Sequence, residues 1–201
     1  MSHHKSTSIF LSPSTGKKNW SRAFTLIETI ITVTLFVILM LAITQLYIVY
    51  GRIITFQQST IAVALGGSSI VDAARTAGLQ AKQIVAEHTF SGISYKSGTT
   101  TALFELPAID ASGAVIPNAY DYIGIATSST SAYHLVDAAP GSVRLSGEKQ
   151  LTDVLEALSF TYDNPSFPSV TSITIDATTS AVVRGEITQT HLRGHIYLRN
   201  L

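Results

Sequence analysis

The 201-residue chain contains no cysteine, one tryptophan and two methionines, and neither sign of charge is in excess: 13 Lys and Arg stand against 13 Asp and Glu. Without cysteine there is no disulfide scaffold, no thiolate zinc site and no thiol nucleophile. The missing basic excess argues against a nucleic-acid partner, because such proteins carry a positive domain or a basic stripe. Charged residues are only 13% of the chain and hydrophobic ones 46%, which gives a mean hydropathy of +0.31. That is high for a domain surrounded by water, and the average conceals three dissimilar parts.

Residues 1–23 carry Lys5, Lys17, Lys18 and Arg22, no acidic residue, and the turn-forming run Ser12 to Gly16. No fold is expected there. From Thr29 to Gly51 the character reverses, with no charged residue and a preponderance of Ile, Leu, Val, Phe, Met and Tyr. As a helix this stretch measures about 35 Å at ~1.5 Å per residue, enough to cross a hydrocarbon core of ~30 Å. Four flanking cations lie on its N-terminal side, so the positive-inside rule predicts a single-pass membrane protein with its N-terminus in the cytoplasm and residues beyond 51 outside. A cleaved secretory signal fits less well, since its apolar region runs only ~7–15 residues and ends in a small-residue cleavage site. Tyr47 and Tyr50 fall where an interfacial aromatic belt belongs.

Past Gly51 the spacing predicts that the helix continues as an amphipathic one. Ile53, Phe56, Ala64, Gly67, Val71 and Ala74 share one face, and Arg52, Gln57, Gln58, Asp72 and Arg75 occupy the others. Gly66-Gly67 weakens helix propensity and predicts a kink or fraying, Gly78 is a natural C-cap, and Leu79 to His88 reads as a second helical piece. From about Phe90 the signal has period two. Short strands are predicted at 102–106, 120–126, 133–136 and 142–145, with further alternation at Leu158, Phe160 and Tyr162 and at Ile173 and Ile175. The last is the cleanest, with Leu192, Gly194, Ile196 and Leu198 opposite His191, Arg193, His195, Tyr197 and Arg199. The fold class is therefore α+β: a long N-terminal helix over 24–78, with its transmembrane span at about 29–51, packed on an antiparallel β-rich head over 79–201.

The junction between leader and apolar run reads Ser21-Arg22-Ala23-Phe24-Thr25-Leu26-Ile27-Glu28. It resembles the N-terminal signature of type IV prepilins and pseudopilins, Gly-Phe-Thr-Leu-Ile-Glu, with Ala23 in place of the first Gly. The resemblance implies that a prepilin peptidase cuts between Ala23 and Phe24, removing 1–23, and N-methylates Phe24. It also implies that Thr25, Leu26, Ile27 and Glu28 belong to an assembly helix that packs against other pilin subunits. The implied partners are the peptidase/N-methyltransferase, those subunits, the inner-membrane assembly platform and membrane lipid. The implied destination is an extracellular or periplasmic filament.

Glu28 also stands out on physical grounds. An ionised carboxylate at the edge of an apolar run is costly unless paired, and no basic residue follows within two helical turns. Cleavage would expose a cationic amine on Phe24, and a neighbouring subunit shifted by one turn could set that amine against Glu28. The family's helix-breaking Pro would fall at Gln45 and its Gly at Val37, which points away from a major pilin and toward a minor one. The predicted function is a structural subunit of a type IV pilus-like filament. The alternatives are a type II secretion or competence pseudopilin, or a membrane-anchored binding domain that never assembles.

Chemistry is sparse elsewhere. His191 and His195 on a strand would stand ~13 Å apart, no HExxH is present, and His88 and His134 lack an acidic partner at ligand spacing. There is no nucleophile elbow, phosphate loop or calcium loop. No enzyme activity, catalytic residue, metal or cofactor is therefore predicted.

Overall fold

The computed structural model describes residues 25–183 and 185–199. It is α+β, with one long helix, α1 (Leu26–Gln80), followed by antiparallel sheets. The chain divides into two compact units between Val49 and Tyr50.

In the first unit, every described residue from Thr25 to Val49 is exposed. This half of α1 contains a window with a mean hydropathy of 2.6, and α1 is the single helix among the described residues long and apolar enough to cross a membrane. The threonines within it do not break the helix because each hydroxyl finds a partner one turn back. Thr32 donates to the Glu28 carbonyl at 2.7 Å, Thr34 to Ile30 at 2.8 Å and Thr44 to Met40 at 2.8 Å. A hydroxyl bonded in this way presents little unsatisfied polarity to an apolar surrounding.

The second unit holds the rest of α1 and the strands. A five-stranded sheet has the order β1-β4-β5-β6-β7, formed by β1 (Gln83–Ile84), β4 (Ala102–Ile109), β5 (Val115–Ser128), β6 (Ser131–Asp137) and β7 (Gly147–Thr152). A three-stranded sheet has the order β10-β9-β8, from β8 (Leu155–Tyr162), β9 (Ser172–Val183) and β10 (Glu186–Tyr197). A separate hairpin pairs β2 (Glu87–Phe90) with β3 (Ile93–Lys96). The helix buries Val63, Gly66, Gly67, Ile70, Ala74, Ala77 and Gly78, at spacings of three and four residues that mark one helical face. Against that face lie Phe104, Ile125, Phe160, Ile173, Ile175 and Ile196, so one continuous core joins α1 to both sheets.

Small residues set the distance between helix and sheet. A Cβ on Gly78 would lie 2.6 Å from Ile196 Cγ2, and one on Gly194 would lie 2.8 Å from Val71 Cγ1. The Thr179 hydroxyl, fully buried, donates to the Val63 carbonyl at 2.7 Å. Gly78→Leu should therefore lower stability by about 1–3 kcal/mol through overpacking. Faster hydrogen exchange in β10 would register it, whereas unchanged exchange would show that the interface yields.

Several expectations need correction. The helix ends at Gln80 rather than Gly78, and Gly78 serves close packing instead of a cap. The predicted helical piece 79–88 is helical only through Gln80 and enters strands at Gln83–Ile84 and from Glu87, because Gln83 and Ile84 pair with Glu105 and Phe104 and Ile84 is wholly buried. The expected strand 142–145 is loop, and β7 begins only at Gly147. Gly66-Gly67 lies inside an unbroken helix, where side chains of Thr152 and Leu192 crowd the two glycines. On the predicted stripe Gly67 and Ala74 are buried, but Ile53, Phe56 and Ala64 are exposed, and Val63 and Ile70 take the core positions.

Candidate functional site

Ala23 and Phe24, the expected cleavage and methylation positions, lie outside the described residues. The remaining motif residues, Thr25, Leu26, Ile27 and Glu28, form the start of α1. Thr25 is its cap: the Thr25 hydroxyl accepts the Glu28 N–H at 3.4 Å, and the Thr25 carbonyl accepts it at 3.0 Å. Threonine at this position followed three residues later by glutamate is the sequence form of a capping box. The sequence reading missed that second role, although the Thr-x-x-Glu spacing could have revealed it. Glu28 also places its carboxylate in the first turn, where the helix dipole favours negative charge. Leu26 is 80% exposed and Ile27 68%, so the motif presents apolar surface that none of the described residues covers. Such a surface marks a contact with lipid or with another chain.

The head holds two polar clusters that the sequence did not bring together. Around β4 and β5, Lys82 Nζ lies 2.9 Å from the Tyr120 hydroxyl and 3.6 Å from Glu105, to which Gln83 also donates at 3.0 Å. Hydrogen bonding to Tyr120 and the nearby Glu105 charge hold the Lys82 ammonium above its usual range, and burial raises the Tyr122 phenol. Next to it, His88 stacks on Tyr122 with ring centres 3.8 Å apart and places Nε2 2.9 Å from Asp137. An acidic partner for His88 therefore exists, 49 residues along the chain.

The second cluster centres on Asp121, which has no solvent exposure. Its carboxylate accepts from Ala139 N–H at 2.7 Å, from the Ser142 hydroxyl at 2.7 Å and from Arg144 Nη1 at 2.5 Å. Arg144 also donates to the Pro107 carbonyl and to Gln80 at the end of α1, at 2.9 and 2.8 Å. These bonds tie the 138–146 loop to β4, β5 and the helix. They fix a loop, so the cluster is an anchor.

A cleft of about 530 Å³ beside α1 is lined by Asp72, Gln80, His134, Arg144 and Lys149 among others. Burial, followed by the charge of Lys149, pushes the His134 imidazole below its usual range. The folded state thus favours neutral His134, and its contribution to stability is present above an unfolded value of ~6.5 and lost as pH falls through the folded value. Acidification from pH 7.5 to 5.5 should lower the urea midpoint of the native chain more than that of His134→Gln. Equal losses would remove this group from the pH response.

His191 and His195 take separate neighbours on the outer face of β10. His191 Nε2 is 3.2 Å from Asp176, and His195 Nδ1 is 3.0 Å from the Thr174 hydroxyl. Among the described residues no group of three or more His, Cys, Asp or Glu is arranged to hold a metal ion.

Comparison with protein-family models, curated proteins and solved structures finds no match to this chain.

Proposed function

We propose that the chain is a non-enzymatic structural subunit, a minor pilin or pseudopilin, of a type IV pilus-like filament. The observation that carries this reading is one juxtaposition: the run Arg22-Ala23-Phe24-Thr25-Leu26-Ile27-Glu28 leads directly into a helix whose first half is uncharged from Thr29 and wholly exposed through Val49. Four cations before the run, against Arg52 directly after it, support a cytoplasmic leader and an outward head. In this reading the prepilin peptidase removes residues 1–23 and methylates Phe24. The helix then leaves the bilayer for a filament in which neighbouring helices replace lipid. The head supplies the outer surface, and loss of the four leader cations leaves nine Lys and Arg against 13 Asp and Glu, net −4.

The test is the intact mass of the protein from membranes of cells with and without the peptidase. Loss of residues 1–23 and gain of one methyl, only where the peptidase is present, is the expected result. An uncut, unmethylated chain in both would sink the proposal and leave a membrane-anchored head.

A further inference from the structure

β10 forms one border of the three-stranded sheet, and among the described strands only β9 pairs with it. Roughly every second residue of an antiparallel edge strand turns its N–H and C=O away from the sheet, and proteins usually guard such an edge. The other borders are guarded. β1 has two residues, and β2 and β3 have four each. β7 carries Glu148 and Lys149 and a register shift opposite Ala132 and Tyr133, and β8 has a register shift at Leu155 and Ala157. β8 is also bonded on the side away from β9, with Leu155 N–H donating to the Thr130 carbonyl and Phe160 N–H to the Thr99 carbonyl, both at 2.7 Å. β10 has none of these devices: its 12 residues contain no proline and no lysine and pair with β9 in one unbroken register. The side chains of its outer face leave the edge bare as well. Gln189 donates to Glu156 of β8 at 2.8 Å, and Arg193 donates to Asp176 of β9 at 2.6 and 3.2 Å. His191 lies 3.2 Å from the same Asp176 carboxylate, and His195 lies 3.0 Å from the Thr174 hydroxyl of β9. All four polar groups lean back over the sheet, away from the open border. The row's two remaining members are apolar, Ile187 and Tyr197, 72% and 68% exposed at opposite ends of the strand.

We propose that the outer edge of β10 receives an extended segment of another polypeptide, which adds to the three-stranded sheet as a fourth, antiparallel strand. A row of unpaired backbone donors and acceptors is matched by another extended backbone. In strand addition those main-chain bonds supply the affinity, and alternate side chains supply the selectivity. Here the selectivity falls on the ends. An antiparallel partner sets one residue opposite Ile187 and another, ten residues along, opposite Tyr197. Apolar side chains at both places gain from β-branched and aromatic cross-strand pairing. The four polar side chains between them are already engaged within the sheet, so the middle of the segment contributes mainly its backbone. A second copy of the chain is a poorer source of this strand. Pairing β10 with itself is an isologous contact about a two-fold axis, whereas a filament joins two different surfaces of successive copies. No other described strand offers an edge of matching length and regularity. The choice of another polypeptide over a second copy rests on the filament reading; the strand site itself does not.

The probe is a fluorophore-labelled synthetic peptide with the sequence of residues 187–197, blocked at both ends. Centred antiparallel on Leu192, it sets its own tyrosine against Ile187 and its own isoleucine against Tyr197. Anisotropy with the full-length chain in mild detergent reads the affinity, and hydrogen exchange reads the site. The expected result is binding that slows exchange across β10 by about fivefold or more and leaves β7 unchanged. A peptide N-methylated at alternate residues should not bind, and serine at both apolar ends should weaken binding about fivefold. Equal binding of the N-methylated peptide, protection at β7 or β8 in place of β10, or no binding at about 1 mM peptide would each overturn the strand site. Protection of β10 that rises with chain concentration in the absence of peptide would assign the edge to a second copy and overturn the occupant. A chain that binds the peptide but is left uncut in cells containing the peptidase would uphold the strand site and sink the filament reading.

Discussion

Asp121→Ala is expected to destabilise the head by about 3–5 kcal/mol, the usual consequence of removing one partner of a buried ion pair. The cause is less the lost attraction than what remains. Arg144, whose side chain is 17% exposed, would keep its charge in a largely dry setting, and the Ala139 N–H and Ser142 hydroxyl would lose the acceptor they share. Each orphaned donor adds a desolvation cost of about 1–3 kcal/mol. Urea unfolding of the full chain in mild detergent would report the loss, and hydrogen exchange should show residues 138–146 opening first. Asp121→Leu combined with Arg144→Met should cost less than Asp121→Ala alone, since no charge is then left unpaired. A single variant within about 0.5 kcal/mol of the native chain, the range of ordinary surface changes, would show that water replaces the carboxylate and that the anchor is dispensable.

This anchor also shows where the sequence stops being informative. Asp121 sits in a strand whose alternation was legible, and Tyr120 to Ala126 was predicted as strand and lies within β5. The partner loop was not. Val143 and Leu145 flank Arg144 with period two, and the pattern suggested a strand, yet both side chains are exposed and Arg144 points inward to Asp121. A polar residue held by a distant carboxylate leaves no periodic trace. The segment after Gly78 misled for a different reason. Leu79, Gln80, Ala81, Lys82 and Gln83 are all good helix formers, but burial of Ile84 against Phe104 and hydrogen bonding to β4 outweigh local propensity. β7 escaped notice because it is an edge strand, Gly-Glu-Lys-Gln-Leu-Thr, with its first four residues exposed. By contrast β8, β9 and β10 each bury one face, at Leu158 and Phe160, at Ile173 and Ile175, and at Ile196, and their alternation was plain. The candidate assembly site was nominated from adjacent residues and a composition change, without any tertiary contact; the structure describes only Thr25 to Glu28 of it, at the exposed start of α1.

Glu28→Ala is expected to leave membrane insertion and the head untouched but to remove the chain from filaments. Glu28 stands exposed in the first turn, and among the described residues no cation pairs with it. Its contribution to the cap of α1 comes through its backbone N–H, which Thr25 accepts, so alanine keeps that bond. Helix formation is therefore separable from assembly at this position. In the proposed filament the carboxylate meets the Phe24 amine of a neighbour in a water-poor setting. Losing one partner of such a pair costs about 3–5 kcal/mol, more than a hundredfold in association. Glu28→Gln tests charge at nearly constant shape and should fail almost as completely as alanine. Thr25→Val should cost only about 1 kcal/mol through the cap and still assemble. Quantifying each variant in sheared filaments against its level in membranes separates these outcomes. Incorporation of Glu28→Gln at the native level would show that register is set by packing of the apolar faces, with the carboxylate needed only for the peptidase or not at all.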